Sequence, residues 1–273
     1  MPTTTADRSF PRLLIASCAF LFVSGYFVVR FPDVEGASYG SYGFNLLIAL
    51  PALIAVIRQF GAARGAAALL AVSVFGYLIE GIGVATGFPY GEFYYGDPLG
   101  PTIFGLVPYL LPLSYVPLVI GAVAVVSVGG TALRRIVLGG LFLVVIDGVL
   151  DPGAVALGFW VWPGGGPYYG VPLSNFGGWL ISGLIASALV TWIGGRRLTE
   201  VPLRPGLLDS LLVSMFLWLG VCVFSGLQFP ALLAVGLIIL LVRRRLQLEQ
   251  SLVTARRTGA VTSAPGLRPP SRW

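Results

Sequence analysis

The chain has 273 residues, 56% hydrophobic and only 10% charged, with a net charge of +6 and a mean hydropathy of +0.89; an ordinary soluble domain carries about 25% charged residues. Such a composition is that of an integral membrane protein. All 17 basic residues are arginine and histidine is absent, which excludes lysine Schiff bases, a Walker-type phosphate loop, a Ser-His-Asp relay and imidazole metal sites.

A bilayer-spanning helix needs about 20 mostly apolar residues, and eight runs qualify or nearly so: 13–29, 44–57, 66–85, 104–128, 136–157, 177–193, 207–224 and 229–242. The predicted fold class is therefore all-α, a polytopic transmembrane bundle of about eight helices. The first run follows Arg8 and Arg12 as a signal peptide would, but it lacks a small-x-small cleavage site and is read as a helix that stays. Cys18 and Cys222 lie inside apolar runs and read as small core residues.

Eight spans put both termini on one side. With the N-terminus cytoplasmic, Arg8, Arg12, Arg58, Arg64, Arg134, Arg135, Arg196, Arg197 and Arg204 all fall inside with the C-terminal segment, and only Arg30 falls outside. Residues 1–245 are expected to form one transmembrane domain, and 246–273, rich in Arg, Pro and Ser, a disordered cytoplasmic tail suited to an anionic leaflet. Topology accounts for the basic charge, so no nucleic-acid partner is expected. The loops 86–103 and 158–176 then face away from the cytoplasm.

Carboxylates in hydrocarbon cost at least about 2.5 kcal/mol each, so they turn toward a bundle interior or a wet cavity. Three are placed this way: Glu80 in the third helix, and Asp147 and Asp151 in the fifth, four residues apart and so on one face. Pro152 follows directly; lacking an N–H, it deprives the Gly148 carbonyl of its helical donor and is expected to open the helix beside both aspartates. A single pocket collecting the three acids is the expectation, and acids that merely tie helices together are the plainer alternative. Asp209 reads as a helix cap or interfacial anchor.

Above these helices lie the loops FPYGEFYYGDPLG and GGGPYYGVPLSNFGGW, an internal echo in which each outward-running, acid-bearing helix is followed by Tyr, Gly and Pro. Tyr90, Tyr94, Tyr95, Trp160, Trp162, Tyr168 and Tyr169 would suit an ordinary interfacial belt. Their interleaving with Glu92, Asp97 and Asn175 favours folded loops that bind substrate at a pocket mouth. Apolar walls and a like-charged neighbour favour the neutral form of an acid, so one of Asp147 and Asp151 is expected to keep its proton and donate it. Aromatic faces stabilise cations. Together these suit protonation of an isoprenoid double bond and capture of the tertiary cation by water, with no metal or redox cofactor. Asp151 or Asp147 is the expected acid, with Glu80 orienting or deprotonating the water.

The stretches EGIGVATGFPYGEFYYGDPLGPTIFGLVPYLLPLSY and DGVLDPGAVALGFWVWPGGGPYYGVPLSNFGGW resemble the membrane carotenoid-biosynthesis family that includes the C50 carotenoid (bisanhydrobacterioruberin) hydratases and related hydratases acting on the acyclic ends of monocyclic carotenoids. The resemblance is strong from residue 76 to 192 and weak in the first two and last two helices. It implies a cofactor-independent hydro-lyase that adds water across a terminal C=C of a membrane-dissolved carotenoid to give a tertiary alcohol. A prenyl-transferring carotenoid enzyme is the partner it suggests. Tyr115, in PLSY, departs from the pattern, where Trp is expected, which bears on the choice of end group. The rival readings are a proton-coupled transporter, since intramembrane acids beside a broken helix also describe ion pathways, and a non-catalytic carotenoid-binding or assembly protein.

Overall fold

A computed structural model describes residues 11–32, 37–96, 99–127 and 129–258, with the side chains of 37–41 left out of the description. All eight predicted helices are present: α1 (Arg12–Arg30), α2 (Ala37–Phe60), α3 (Ala62–Thr86), α4 (Leu111–Val126), α5 (Ala132–Ala156), α6 (Leu173–Gly194), α8 (Asp209–Phe224) and α9 (Gln228–Arg257), with one further turn, α7 (Arg196–Thr199). The chain is an all-α membrane bundle. By length and composition α1, α3, α6 and the 42–60 part of α2 suffice to cross a bilayer, while α4 and α8 are shorter apolar helices of 16 residues each. Large apolar side chains such as Leu13, Leu70, Leu78, Ile185 and Leu232 point outward, as they do where lipid is the solvent.

Glycine determines which helices meet closely. A Cβ on Gly220 of α8 would lie 2.3 Å from the Phe22 carbonyl oxygen, and one on Gly25 of α1 would lie 2.7 Å from the Gly220 backbone. Between α5 and α6 the same holds: a Cβ on Gly140 would come within 3.0 Å of the Leu184 nitrogen. Small residues at crossings let backbones pack by dispersion where no hydrophobic drive between helices exists.

Several boundaries differ from expectation, α2, α3 and α5 beginning seven, four and four residues before their predicted runs, at Ala37, Ala62 and Ala132. The fourth helix begins at Leu111 rather than near 104, because residues 102–108 form a hairpin, β2 (Thr102–Ile103) with β3 (Val107–Pro108), turned by Phe104 at φ 52° and Gly105 at φ 71°. Two consecutive left-handed residues make such a tight turn, and an apolar run gives no sign of it. The sixth helix starts at Leu173, four residues early. The last helix continues through 246–257, where a disordered tail is expected, and residues 259–273 lie outside the description. The extension is held from its base: Arg245 is buried and pairs with Asp209 Oδ1 at 2.7 Å and with Glu249 at 3.2 Å, while Leu248 packs inward one turn on. Asp209 is thus the anchor foreseen, and its partner is a neighbouring helix.

Candidate active site

Glu80 near the C-terminal end of α3, Asp147 and Asp151 in α5, and Asn175 in the first turn of α6 are all buried. The two aromatic loops fold over them and pair with each other: β1 (Tyr94–Tyr95) runs antiparallel to β4 (Trp160–Val161), with Tyr94 opposite Val161 and Tyr95 opposite Trp160. Successive residues of a strand point to opposite faces. Tyr95 therefore turns down into the protein while Tyr94 is exposed.

Under this roof is a cavity of about 600 Å³. Of the predicted site residues, Glu80, Tyr90, Tyr95, Asp151, Trp160, Trp162 and Asn175 line it. The Tyr95 hydroxyl donates to Glu80 Oε2 at 2.8 Å. Burial first, and then the adjacent Glu80, push the Tyr95 phenol well above its ordinary range, so it remains a donor. Asn175 Nδ2 donates to Asp147 Oδ2 at 3.0 Å and also to Asp151 Oδ2. The two aspartates thus share one donor, Asn175 Nδ2, while Asp147 Oδ1 has no partner among the described residues. Two buried carboxyls gathered on one amide donor repel when both are ionised, so one proton between them is the arrangement this geometry favours.

Asp147 stands behind Asp151 and does not reach the cavity wall. Tyr90 is fixed by its backbone as well as its ring: its carbonyl accepts from Trp162 Nε1 at 3.3 Å and from Ser174 Oγ at 3.2 Å. Its ring occupies a slot between α3 and α6 that exists because Gly83 and Gly178 face it; a Cβ on Gly178 would be 2.4 Å from the ring.

Four expected mouth residues lie elsewhere. Glu92 and Tyr94 are exposed on the outer side of the roof, Tyr169 is exposed at φ 51°, and Tyr168 faces α5 from outside the cavity. Asp97 lies outside the described residues. Pro152 does not open α5, which is continuous from Ala132 to Ala156. The Gly148 carbonyl that it orphans accepts instead from the Tyr168 hydroxyl at 2.8 Å, and burial pushes that phenol up to about 12. Tyr168 is a cap on the proline break.

Residues 40–241 match the family described as carotenoid biosynthesis protein. The chain belongs to this family. It is 39% identical over 197 residues to the bisanhydrobacterioruberin hydratase of Haloarcula japonica, covering 68% of this chain and 67% of that protein. No solved structure matches it. The family match extends beyond the segment 76–192 on which the resemblance is strongest, and it contains every acid of the site. It leaves out α1.

Residues outside the predicted site set complete the cavity of this carotenoid biosynthesis protein. Trp179 and Tyr115 face each other at 5.9 Å between ring centroids, and Trp218 of α8 and Phe44 of α2 form further wall. Val28 and Phe31 extend the lining to α1 and beyond it, outside the matched span. The lining thus combines acids beneath the roof with mostly apolar side chains from α1, α2, α4 and α8. The α6 aromatic had a signal, since Trp179 closes the motif NFGGW; the α1 and α8 residues had none beyond apolarity.

Proposed function

We propose that the chain is a carotenoid hydratase, adding water across the terminal C=C of an acyclic carotenoid end group, with conversion of bisanhydrobacterioruberin to bacterioruberin as the leading case. The observation that carries this reading is the cavity lined by both Glu80 and Asp151, the latter bridged to Asp147 through Asn175, together with mostly apolar side chains. The 39% identity to a bisanhydrobacterioruberin hydratase supports the same reading. A polyene extends along the apolar lining and presents its end to the acids.

Asp151, on the cavity wall, gives its proton to the less substituted alkene carbon. The resulting cation is tertiary, and the rings of Tyr95, Trp160 and Trp162 shield it. Water adds to the cation and loses a proton to Glu80; return of that proton to the aspartate pair through the cavity restores both groups. The net change is one alkene and one water to one tertiary alcohol, a hydro-lyase reaction run toward hydration, with no cofactor in the scheme. Asp147 and Asn175 position Asp151 and hold its proton between turnovers.

The arginine distribution supports cytoplasmic termini in a multi-pass cell-membrane protein, which directs the roofed end of the cavity toward the extracytoplasmic half. A prenyl-transferring carotenoid enzyme remains the proposed source of substrate. The test is expression of the full chain in cells that make an acyclic carotenoid. Product heavier by one water, absent from cells with Asp151→Asn, is expected. Unchanged carotenoid from the wild-type chain, with the protein present in the membrane, refutes the reading.

A further inference from the structure

Two phenol groups in the cavity wall have no role in the scheme so far. Tyr90, from the roof loop, and Tyr115, from α4, flank Trp179 with ring centroids 6.5 and 5.9 Å from it. Each is 2% exposed. Gly76 of α3 faces the Tyr115 ring, as Gly83 and Gly178 face that of Tyr90, so both rings are held by bare backbone.

Gly76 and Gly83, against which the Tyr115 and Tyr90 rings lie, share one face of α3 with Glu80 between them, the Tyr115, Tyr90 and Glu80 side chains line the same cavity, and Ser182 is a fully buried residue one turn beyond Trp179 in α6. Neither hydroxyl makes a hydrogen bond of ordinary geometry, and both are without a partner among the described residues. Among the described residues Ser182 itself donates to the Trp179 carbonyl alone, at a long 3.4 Å. Buried hydroxyls without partners are rare in native proteins and mark a place where a small polar molecule is bound. A bound water needs about two to four polar partners. Two phenols, one serine and one carboxylate meet that need.

Resting on the hydration reading, we propose that Tyr90, Tyr115, Ser182 and Glu80 hold the attacking water, so that this cluster decides whether the cation is hydrated or reverts. Protonation of R–CH=C(CH₃)₂ gives R–CH₂–C⁺(CH₃)₂. If water adds, its oxygen lone pair forms the C–O bond and the surplus proton passes to Glu80. Without a positioned water the cation loses a proton from the neighbouring CH₂ and returns to the alkene. Tyr90 and Tyr115 are therefore positioning residues, acting on the water and leaving the proton donor untouched.

Membranes containing the full chain are incubated with an acyclic carotenoid in D₂O, and both the alcohol and the recovered alkene are analysed by mass. For the wild type, alcohol forms with little deuterium in the recovered alkene. For Tyr115→Phe, and for the smaller change Ser182→Ala, the ratio of alcohol to deuterated alkene is expected to fall about tenfold or more, with Tyr90→Phe behaving alike. Asp151→Asn, in contrast, abolishes both products. Variants that keep the wild-type ratio overturn the proposal, whether their total turnover is preserved or falls evenly. A wild-type chain that neither hydrates nor exchanges deuterium removes the hydratase reading and this proposal together, whereas hydration by the wild type with an unaltered ratio in all three variants removes this proposal alone.

Discussion

The Tyr168 hydroxyl donates to the Gly148 carbonyl at 2.8 Å, in the place of the backbone N–H that Pro152 lacks. The aspartates that flank this carbonyl in α5 therefore stand on an unbroken helix. Tyr168→Phe leaves the buried carbonyl without a donor, a loss of about 1–3 kcal/mol that is read as a lowered thermal midpoint of the detergent-solubilised protein. Pro152→Ala restores an N–H to the same carbonyl, so the double variant is expected to recover most of the loss. Equal losses for Tyr168→Phe with and without the Pro152→Ala change would show that the bond contributes nothing.

Asp151 and Asp147 differ in exposure to the cavity, and their variants should differ too. Asp151→Asn removes the proposed donor and is expected to lower hydration by about 10²- to 10⁴-fold. Asp147→Asn, behind the wall, keeps the donor and loses only its neighbour, so its loss is smaller. Product yields per unit of folded protein decide the order, and a larger loss for Asp147→Asn reverses the assignment.

Gly178 has no room for a side chain, since a Cβ would meet the Tyr90 ring at 2.4 Å and the Pro89 carbonyl oxygen at 2.9 Å. Gly178→Ala is expected to cost about 1–3 kcal/mol by overpacking and to displace Tyr90 from the cavity wall. Gly177→Ala, where nothing lies near an added Cβ, is the matched comparison and should be close to neutral in both stability and yield.

Arg245 and Asp209, both largely buried, pair at 2.7 Å between α9 and α8. Asp209→Ala leaves the buried guanidinium with Glu249 among its partners and is expected to cost about 1–3 kcal/mol, while joint replacement by Asp209→Ala and Arg245→Met recovers most of it. Thermal unfolding of the three variants measures the difference. Additive losses would refute it.

A cavity with one set of acids handles one carotenoid end at a time. A two-ended substrate should leave after the first hydration and return reversed, so a time course is expected to show a singly hydrated species before the doubly hydrated one. A course in which the doubly hydrated product forms with no such species at any time contradicts this order.

The acids were legible in the sequence because hydrocarbon makes charge expensive: Glu80, Asp147 and Asp151 had to converge on something polar, and they do around Asn175 and Tyr95. Pro152 pointed to the right place with the wrong outcome, since its remedy comes from Tyr168, well along the chain from the carbonyl it caps, and no local pattern announces a partner at that distance. Tyr115 stood out only because Trp is expected in its place, and Trp218 and Phe44 were not picked out as wall residues because, in a helix apolar all round, the face toward a cavity and the face toward lipid are written in the same residues. Residues 246–257 were misjudged on composition: the buried Arg245 pairs with Asp209 and Glu249 at the base of this helical extension, and composition does not report burial.

The roof strands come from opposite ends of the α3-to-α6 segment, Tyr94–Tyr95 before α4 and Trp160–Val161 after α5. During biogenesis the first three helices therefore enter the bilayer with Glu80 unsealed, and the lid over it closes only when the ribosome has delivered the loop beyond α5. The roof is therefore completed late in translation, and truncation anywhere before that loop yields a chain without it.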